Sequence, residues 1–497
     1  MSGPSLKRQA LSGVRWTVSA RVLVQLITWP STIIVMRLLN PRDYGLVAVS
    51  TVIIEFVSMF ADPGLTAGLV QTQVLPVETS RAASALLATL NLVLLGVLLL
   101  AAPSIAAWYH EPELTQVIRV ASLSLLMTAI ATVPQAQLVR NLRFREMALA
   151  MIAGSVAASL TTIVCAITGL GVWSLVLGTL VLSALRSIVI IAYNRSAVWP
   201  DFSRGFEPIR HLMHFSVHML GNRILWYCSM NMDLIVLGRM VPSTELGTYS
   251  VGANLAATPS DKAMDAVNRV SFPTLSRLRA KRAQFNYAYE RIMRMLALYG
   301  FLVAWGLAAV APEFVHFVLS DKWRFAVIPL AMLSIAAPIR MLTALQNTVN
   351  NAAGFPQVST KVLGLSCLML PVGIFIGAHV AGINGAAVSC VVVYAIMFFV
   401  STLYTCRVTE RDMRDSLRII LVPLVAGIAM LIVTLGLRVL LFAHLPTPLL
   451  LGVEIVAATA AFFGTVQVLG PEVLSDARAL LGELLQPEKM TNPDIAS

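Results

Sequence analysis

A chain of 497 residues that is 57% hydrophobic and 12% charged, with a mean hydropathy of +0.79, is too apolar for a water-soluble domain and belongs in a bilayer. Its net charge of +11 does not signal nucleic acid, because the basic residues sit singly or in short clusters between apolar segments, where topology accounts for them. The five cysteines, Cys165, Cys228, Cys367, Cys390 and Cys406, fall almost all within apolar segments and lack C-x-x-C or Cys/His spacing, which excludes a disulfide framework.

Apolar runs of spanning length predict helices near 13–39, 44–70, 82–102, 114–138, 146–168, 171–193, 211–238, 244–270, 288–311, 326–350, 357–378, 381–404, 417–442 and 447–469. That is an all-α polytopic membrane protein of about fourteen transmembrane helices. The first segment is too long for a signal peptide, contains Arg21 and has no A-x-A-like cleavage site, so it is expected to stay as a span. The first, second, seventh and eighth spans are the least apolar, so they are expected to face protein or a water-filled cavity.

The stretch from Arg21 to Gly45 returns later in the chain. Arg21 recurs as Arg223, Arg37 as Arg239, Asp43 as Glu245 and Gly45 as Gly247, each pair 202 positions apart with no gap. Four polar or glycine positions in one register mark an internal repeat. Basic residues alternate in density between successive loops. Lys7, Arg8, Arg140, Arg143, Arg145, Arg195, Arg204, the run from Arg277 to Arg282, Arg407, Arg411 and Arg414 fall on one side, against Arg42, Lys322 and Arg324 on the other. This bias of about four or five to one places both termini in the cytoplasm.

With both ends on one side, the offset covers six spans and the two copies share one orientation. The expected organisation is an N-lobe over 1–193, a cytoplasmic linker over 194–210, a C-lobe over 211–404, two additional helices over 405–470 and a cytoplasmic tail over 471–497. The linker carries the Pro, Gly, Ser and charge content of a join.

Ionisable groups inside spans are functional candidates, because burying them is costly unless they are paired or wet. Arg15 and Arg21 lie toward the cytoplasmic half of the first span, Gln25 shares a face with Arg21, and Arg223 is the repeat counterpart of Arg21. Guanidinium groups lining a wet cavity between the lobes suit a diphosphate; snorkelling to lipid phosphate is the competing reading. Asp261, Asp265 and Arg269 form an i, i+4, i+8 stripe on the eighth span, either a solvated helix end or part of a cavity entrance. Glu55 and Asp62 lie seven residues apart on the second span beside Pro63-Gly64. They could bind Na⁺ or H⁺ and gate movement, or pair with a neighbouring Arg. Gln346, Asn347, Asn350 and Asn351 at the end of the tenth span could hold sugar hydroxyls or join helices. His211, His214 and His218 fit an interfacial helix end better than a metal site, since no fourth ligand is evident.

No G-x-x-x-x-G-K-[ST] is present, so the chain is not its own ATPase, and no external loop has room for an extracytoplasmic catalytic domain. No cofactor is implied beyond possible Na⁺ or H⁺ coupling, and the chain reads as a non-enzyme.

The basic start KRQALSGVRW, LLNPRDYGLVAVS, the stretch from Asp62 to Gln71, NRVSFPTLSRL, Ser320-Asp321-Lys322-Trp323 and the segment from Arg340 to Phe355 resemble Wzx-type polysaccharide flippases. The likeness is greatest to the colanic-acid and xanthan type, within the multidrug/oligosaccharidyl-lipid/polysaccharide exporter superfamily, and runs to about Tyr404. It implies a MATE-like pair of six-helix lobes with a central cavity, and a bacterial inner-membrane protein that flips an undecaprenyl-diphosphate-linked oligosaccharide by alternating access. It also implies cationic cavity residues for the diphosphate, which matches Arg21 and Arg223. Membrane lipids and a polysaccharide polymerase with its export machinery are the implied partners. A cation-coupled drug antiporter of the same fold and a membrane polymerase or ligase are the alternatives. The first is disfavoured by the Arg-rich first and seventh spans, the second by the lack of a large outer loop.

Overall fold

The computed structural model describes residues 6–62, 66, 69, 76–194, 210–441, 446–472 and 475, with backbone alone at 6–15, 210–220, 222 and 441. The body of the expected linker, Pro63-Gly64, most of the tail, and the side chains of Arg15, His211, His214 and His218 lie outside what is described.

The described residues are helical almost throughout, with no strand. In order they form α1 (Leu6–Leu38), α2 (Pro41–Ala61), α3 (Val77–Tyr109), α4 (Leu114–Ala121), α5 (Ser124–Arg140), α6 (Phe144–Ile167), α7 (Val172–Tyr193), α8 (Arg210–Met240), α9 (Ser243–Leu278), α10 (Arg282–Ala309), α11 (Val327–Ala352), α12 (Pro356–Thr409), α13 (Met413–Leu441) and α14 (Thr447–Leu469). Between α10 and α11 the chain makes a short helix, Ala311–Phe314, then π and 3₁₀ turns.

Among the described residues eleven helices are long and apolar enough to cross a membrane; α12 counts twice, and α8 and α9 complete the expected fourteen, with altered joints. α4 and α5 together make the fourth span, interrupted at Ser122-Leu123. α12 makes two spans, because Ala381 and Gly382 leave helical geometry and Gly382 takes φ +57°, a conformation glycine adopts without a Cβ penalty. The second span, predicted to 70, stops at Ala61, since Asp62 precedes Pro63 and a residue before proline is pushed out of the α region. The eighth, predicted to end at 270, continues through Pro259 and Pro273 to Leu278. α8 and α9 fall short of the apolarity of a lone membrane span, as expected for helices that face protein or water.

Packing divides the chain into two compact units, Met1–Ser250 and Val251–Ser497. In the first, α1 lies along α6, α6 along α7, α3 along α5, and α2 along α8. α8, the opening helix of the second repeat, thus packs within the first unit. Val35, Leu39 and Ala166 close the α1–α6 contact, and Val52, Met59 and Tyr227 close the α2–α8 contact. In the second unit α11 packs on α12 and α10, and α10 on α13. Its core includes Phe301, Trp305, Met341, Met430 and Phe462.

Candidate functional site

The repeat becomes physical where α2 and α9 begin. A Cβ on Gly45 would come within 2.7 Å of the Ser243 carbonyl carbon, and one on Gly247 within 2.7 Å of the Pro41 carbonyl carbon. Pro41 and Ser243 are themselves repeat equivalents, so the two helix starts cross symmetrically, glycine against the partner's carbonyl. Only two glycines let backbones approach this closely. Asn40 starts α2 with a capping box, its N–H donating to Asp43 Oδ2 at 2.9 Å. Polar pairs tie the same end together. Arg42 pairs with Glu111 at 3.2 Å and Glu113 at 3.0 Å, the Ser243 hydroxyl donates to Glu111, and Arg239 lies 2.7 Å from His110 and stacks on Trp108.

Counting from this crossing at ~1.5 Å per residue gives depth along each helix. Glu55 lies ~21 Å along from it, and Asp62, Arg21 and Arg223 lie ~26–32 Å along, a distance close to the ~30 Å thickness of a hydrocarbon core. Here Arg223 donates to the backbone carbonyl of Asp62 at 3.2 Å, across the end of α2. The Asp62 carboxylate accepts from the N–H of Thr66 at 3.2 Å, capping the chain as it re-enters helix. Arg21 is exposed on α1. Gln25, one turn on, is half-buried.

Glu55 meets Tyr227, whose hydroxyl donates to Val52 O at 2.7 Å and reaches Glu55 Oε2 at 3.5 Å. The Tyr227 ring lies against Phe56. Nearer the crossing Tyr249 donates to Asp233 at 3.0 Å. Of the expected residues in this unit, the structure brings Asp62 together with Arg223. Glu55 takes a tyrosine partner that the sequence spacing did not indicate.

In the second unit the i, i+4, i+8 stripe separates. Asp261 pairs with Arg340 of α11 at 2.7 Å, and Arg340 is 19% exposed against 63% for Asp261. Asp261 lies ~27 Å along α9, close to the distance of Arg223 along α8. Asp265 and Arg269 are exposed, and at ~33–39 Å along α9 they fall past the hydrocarbon. Asn268 accepts from Thr348 at 2.8 Å, a second polar tie between α9 and α11.

The amides on α11 divide too. Gln346 donates to Thr402 at 2.8 Å and Asn350 to Thr405 at 3.1 Å, both buried, so these two join α11 to α12. Asn347 is half-buried, and its side-chain oxygen receives no hydrogen bond. The basic run after α9 has a local role besides topology: Arg282 donates to Val408 O at 2.9 Å and pairs with Glu410 at 3.0 Å, closing the last turn of α12. The described residues hold no group of three metal-ligating side chains.

The helical architecture has counterparts among solved membrane proteins. The fold matches a solved structure of lipid II flippase MurJ in an inward closed conformation, with a TM-score of 0.73 and 14% identity over 93% of this chain and all of that one. An inward-facing multidrug resistance MATE family transporter of the MOP superfamily matches with a TM-score of 0.60 and 16% identity, covering 79% of this chain and 96% of the other. The chain is thus a multi-pass membrane protein with the fold that these two structures share.

Residues 34–328, more than half of its length, match the family described as polysaccharide biosynthesis protein, and the chain belongs to that family. Among its relatives, the succinoglycan biosynthesis transport protein ExoT of Rhizobium meliloti is 26% identical over 97% of this chain and 96% of its own. The lipopolysaccharide biosynthesis protein WzxC of Escherichia coli is 23% identical over 79% and 80%, and the teichuronic acid biosynthesis protein TuaB of Bacillus subtilis 25% over 71% and 73%.

Proposed function

We propose that this protein is a flippase that moves an undecaprenyl-diphosphate-linked oligosaccharide from the cytoplasmic to the periplasmic leaflet of the bacterial inner membrane, by alternating access, for polysaccharide assembly. The observation that carries the reading is membership of the polysaccharide biosynthesis family, joined to near full-length likeness to a protein named for succinoglycan transport. The repeat-related arginines support it. Arg21 and Arg223 stand at the boundary depth where a lipid diphosphate enters from one leaflet, and a guanidinium donates to phosphate through paired N–H groups.

In this mechanism the sugar and diphosphate occupy the polar surface of the helices while the polyprenyl tail stays in lipid. Arg21, Arg223 and Gln25 of the first unit receive the diphosphate; Arg15, early in α1, and, separately, Arg269 of the second unit are further candidate contacts for it. Asn347 offers hydrogen bonds to sugar hydroxyls. Glu55, Asp62, Asp261 and Asp265 are the candidates for ion coupling or gating, exchanging polar partners between the two states. Both termini face the cytoplasm. No bond of the substrate is made or broken. An inside-negative potential favours export of anionic charge by ~2.3 kcal/mol per charge per 100 mV, so a coupling ion is not demanded.

The experiment is translocation of a fluorescent polyprenyl-diphosphate oligosaccharide in proteoliposomes, with intact protein, Arg21→Ala and Arg223→Ala, with and without a membrane potential. Flipping by intact protein and its loss in folded variants is the expected result. Flipping retained in both variants moves the diphosphate site elsewhere. Transport of lipophilic cations, with no lipid-linked sugar moved, sinks the flippase reading in favour of a drug antiporter.

A further inference from the structure

Where α10, α13 and α14 meet in the second unit, three charged side chains are enclosed together. Arg438 of α13 donates to the carbonyl of Ala309 at 2.7 Å and to Glu313 Oε2 at 2.5 Å, and its Nε lies 3.4 Å from Glu454 Oε1 on α14. Glu313 is 4% exposed and Glu454 0%. Arg438 Nε stands too far from Glu454 for a well-formed hydrogen bond, neither Glu454 oxygen has another donor, and the Glu313 carboxyl lies on the same guanidinium. Glu454 carries the only charge on α14, and Glu313 the only one on the short helix that follows α10. The remaining charges of α10 and α13 lie toward the opposite ends of those helices, and the nearby His316 and Asp321 pair with each other.

Charge accounting then decides the occupant. Two carboxylates beside one guanidinium leave one uncompensated negative charge, out of water and next to another carboxylate, an arrangement that costs several kcal/mol. A sodium ion does not fit, because the guanidinium already occupies the cationic position between the acids. One proton fits. It neutralises the group, gives Glu454 the donor it lacks and turns two repelling carboxylates into a hydrogen-bonded pair.

We propose that Glu313, Glu454 and Arg438 form a buried proton-binding site that holds the C-terminal helix pair α13–α14 to the rest of the second unit when it is occupied. The surrounding contacts are apolar and close: Ala458 and Phe462 of α14 share a core with Trp305, and a Cβ on Gly427 of α13 would come within 2.6 Å of the Trp305 ring. The proton is therefore what determines whether this face closes without stranded charge.

The test is denaturation of the intact chain in detergent from pH 5 to pH 9, beside Glu454→Gln and Glu313→Gln. In the unfolded chain the carboxyl is already ionised over this range, while the folded site keeps its proton. The folding equilibrium of the intact chain should fall about tenfold per pH unit until the site gives up its proton, then level. Either glutamine removes that component and makes the chain more resistant than the intact protein at the alkaline end, because a neutral Arg–Glu pair remains. A Glu454→Gln profile parallel to that of the intact chain overturns the proposal. If a variant does not fold, infrared spectra of the intact chain decide: a carboxylic-acid carbonyl band that vanishes on alkalinisation supports the site, and its absence at pH 6 overturns it. Neither readout needs substrate, so the result is independent of the flippase reading.

Discussion

Gly45→Ala adds one methyl group where α2 meets the start of α9. Its carbon would lie 2.7 Å from the Ser243 carbonyl carbon and 3.1 Å from Gly247 N. Carbon atoms in contact need ~3.5 Å, so the helix starts must part by ~1 Å. No flexible side chain can absorb the shift, since the atoms opposed are backbone, and overpacking of this kind costs ~1–3 kcal/mol. Parting would also stretch the Ser243 to Glu111 hydrogen bond that ties this end. Gly247→Ala opposes Pro41 in the same way, so the two variants should lose similar stability by thermal denaturation in detergent. Because the first methyl already separates the helices, the double variant should lose little more than either single one, a departure from additivity expected only of residues sharing one contact. Two independent and additive losses, or no loss at all, would refute the symmetric crossing.

Asp261→Asn removes the charge that faces Arg340 but keeps an acceptor oxygen, and Asp261 is 63% exposed; a loss of no more than ~1 kcal/mol and slower flipping are expected, and Arg340→Lys, whose ammonium lacks the planar fork, should slow flipping as well. Gln346→Leu removes the 2.8 Å bond to Thr402 and should lower the melting temperature while leaving the flipping rate per folded molecule intact, since this amide joins helices; a selective loss of transport would return it to the sugar site. Arg282→Ala breaks an exposed pair with Glu410 and a bond to Val408 O, so denaturation should register no more than ~1 kcal/mol, and a loss of several would mean that the run between α9 and α10 holds more than one helix end.

Most spans were legible because a bilayer imposes one length and one polarity on every helix that crosses it, whereas α8 and α9, short of that apolarity, stood out through the repeat and their intervals between loops. The repeat was legible because duplicated residues keep their spacing, and Arg21, Arg37, Asp43 and Gly45 reappear in register. Sequence also marked the weak joint at Asp62-Pro63, although it continued the helix past it. Partners across the fold were not legible, since linear spacing says nothing about which helix lies alongside. Asp261 shared a helix face with Asp265 and Arg269, but the pairing of α9 with α11 gave it Arg340, 79 positions away.

Glu55 met Tyr227 for the same reason, through the packing of α2 on α8. Glu313, Arg438 and Glu454 went unremarked because each is a single charge near the end of a different helix, a pattern that ordinarily places a side chain at the membrane surface. What the sequence determined by itself is therefore what depends on local rules: hydrophobic length, charge bias between loops, proline and glycine breaks, and internal duplication. The tertiary structure alone decided which polar groups are enclosed together, because the energy of a buried charge depends on neighbours that the chain brings from afar.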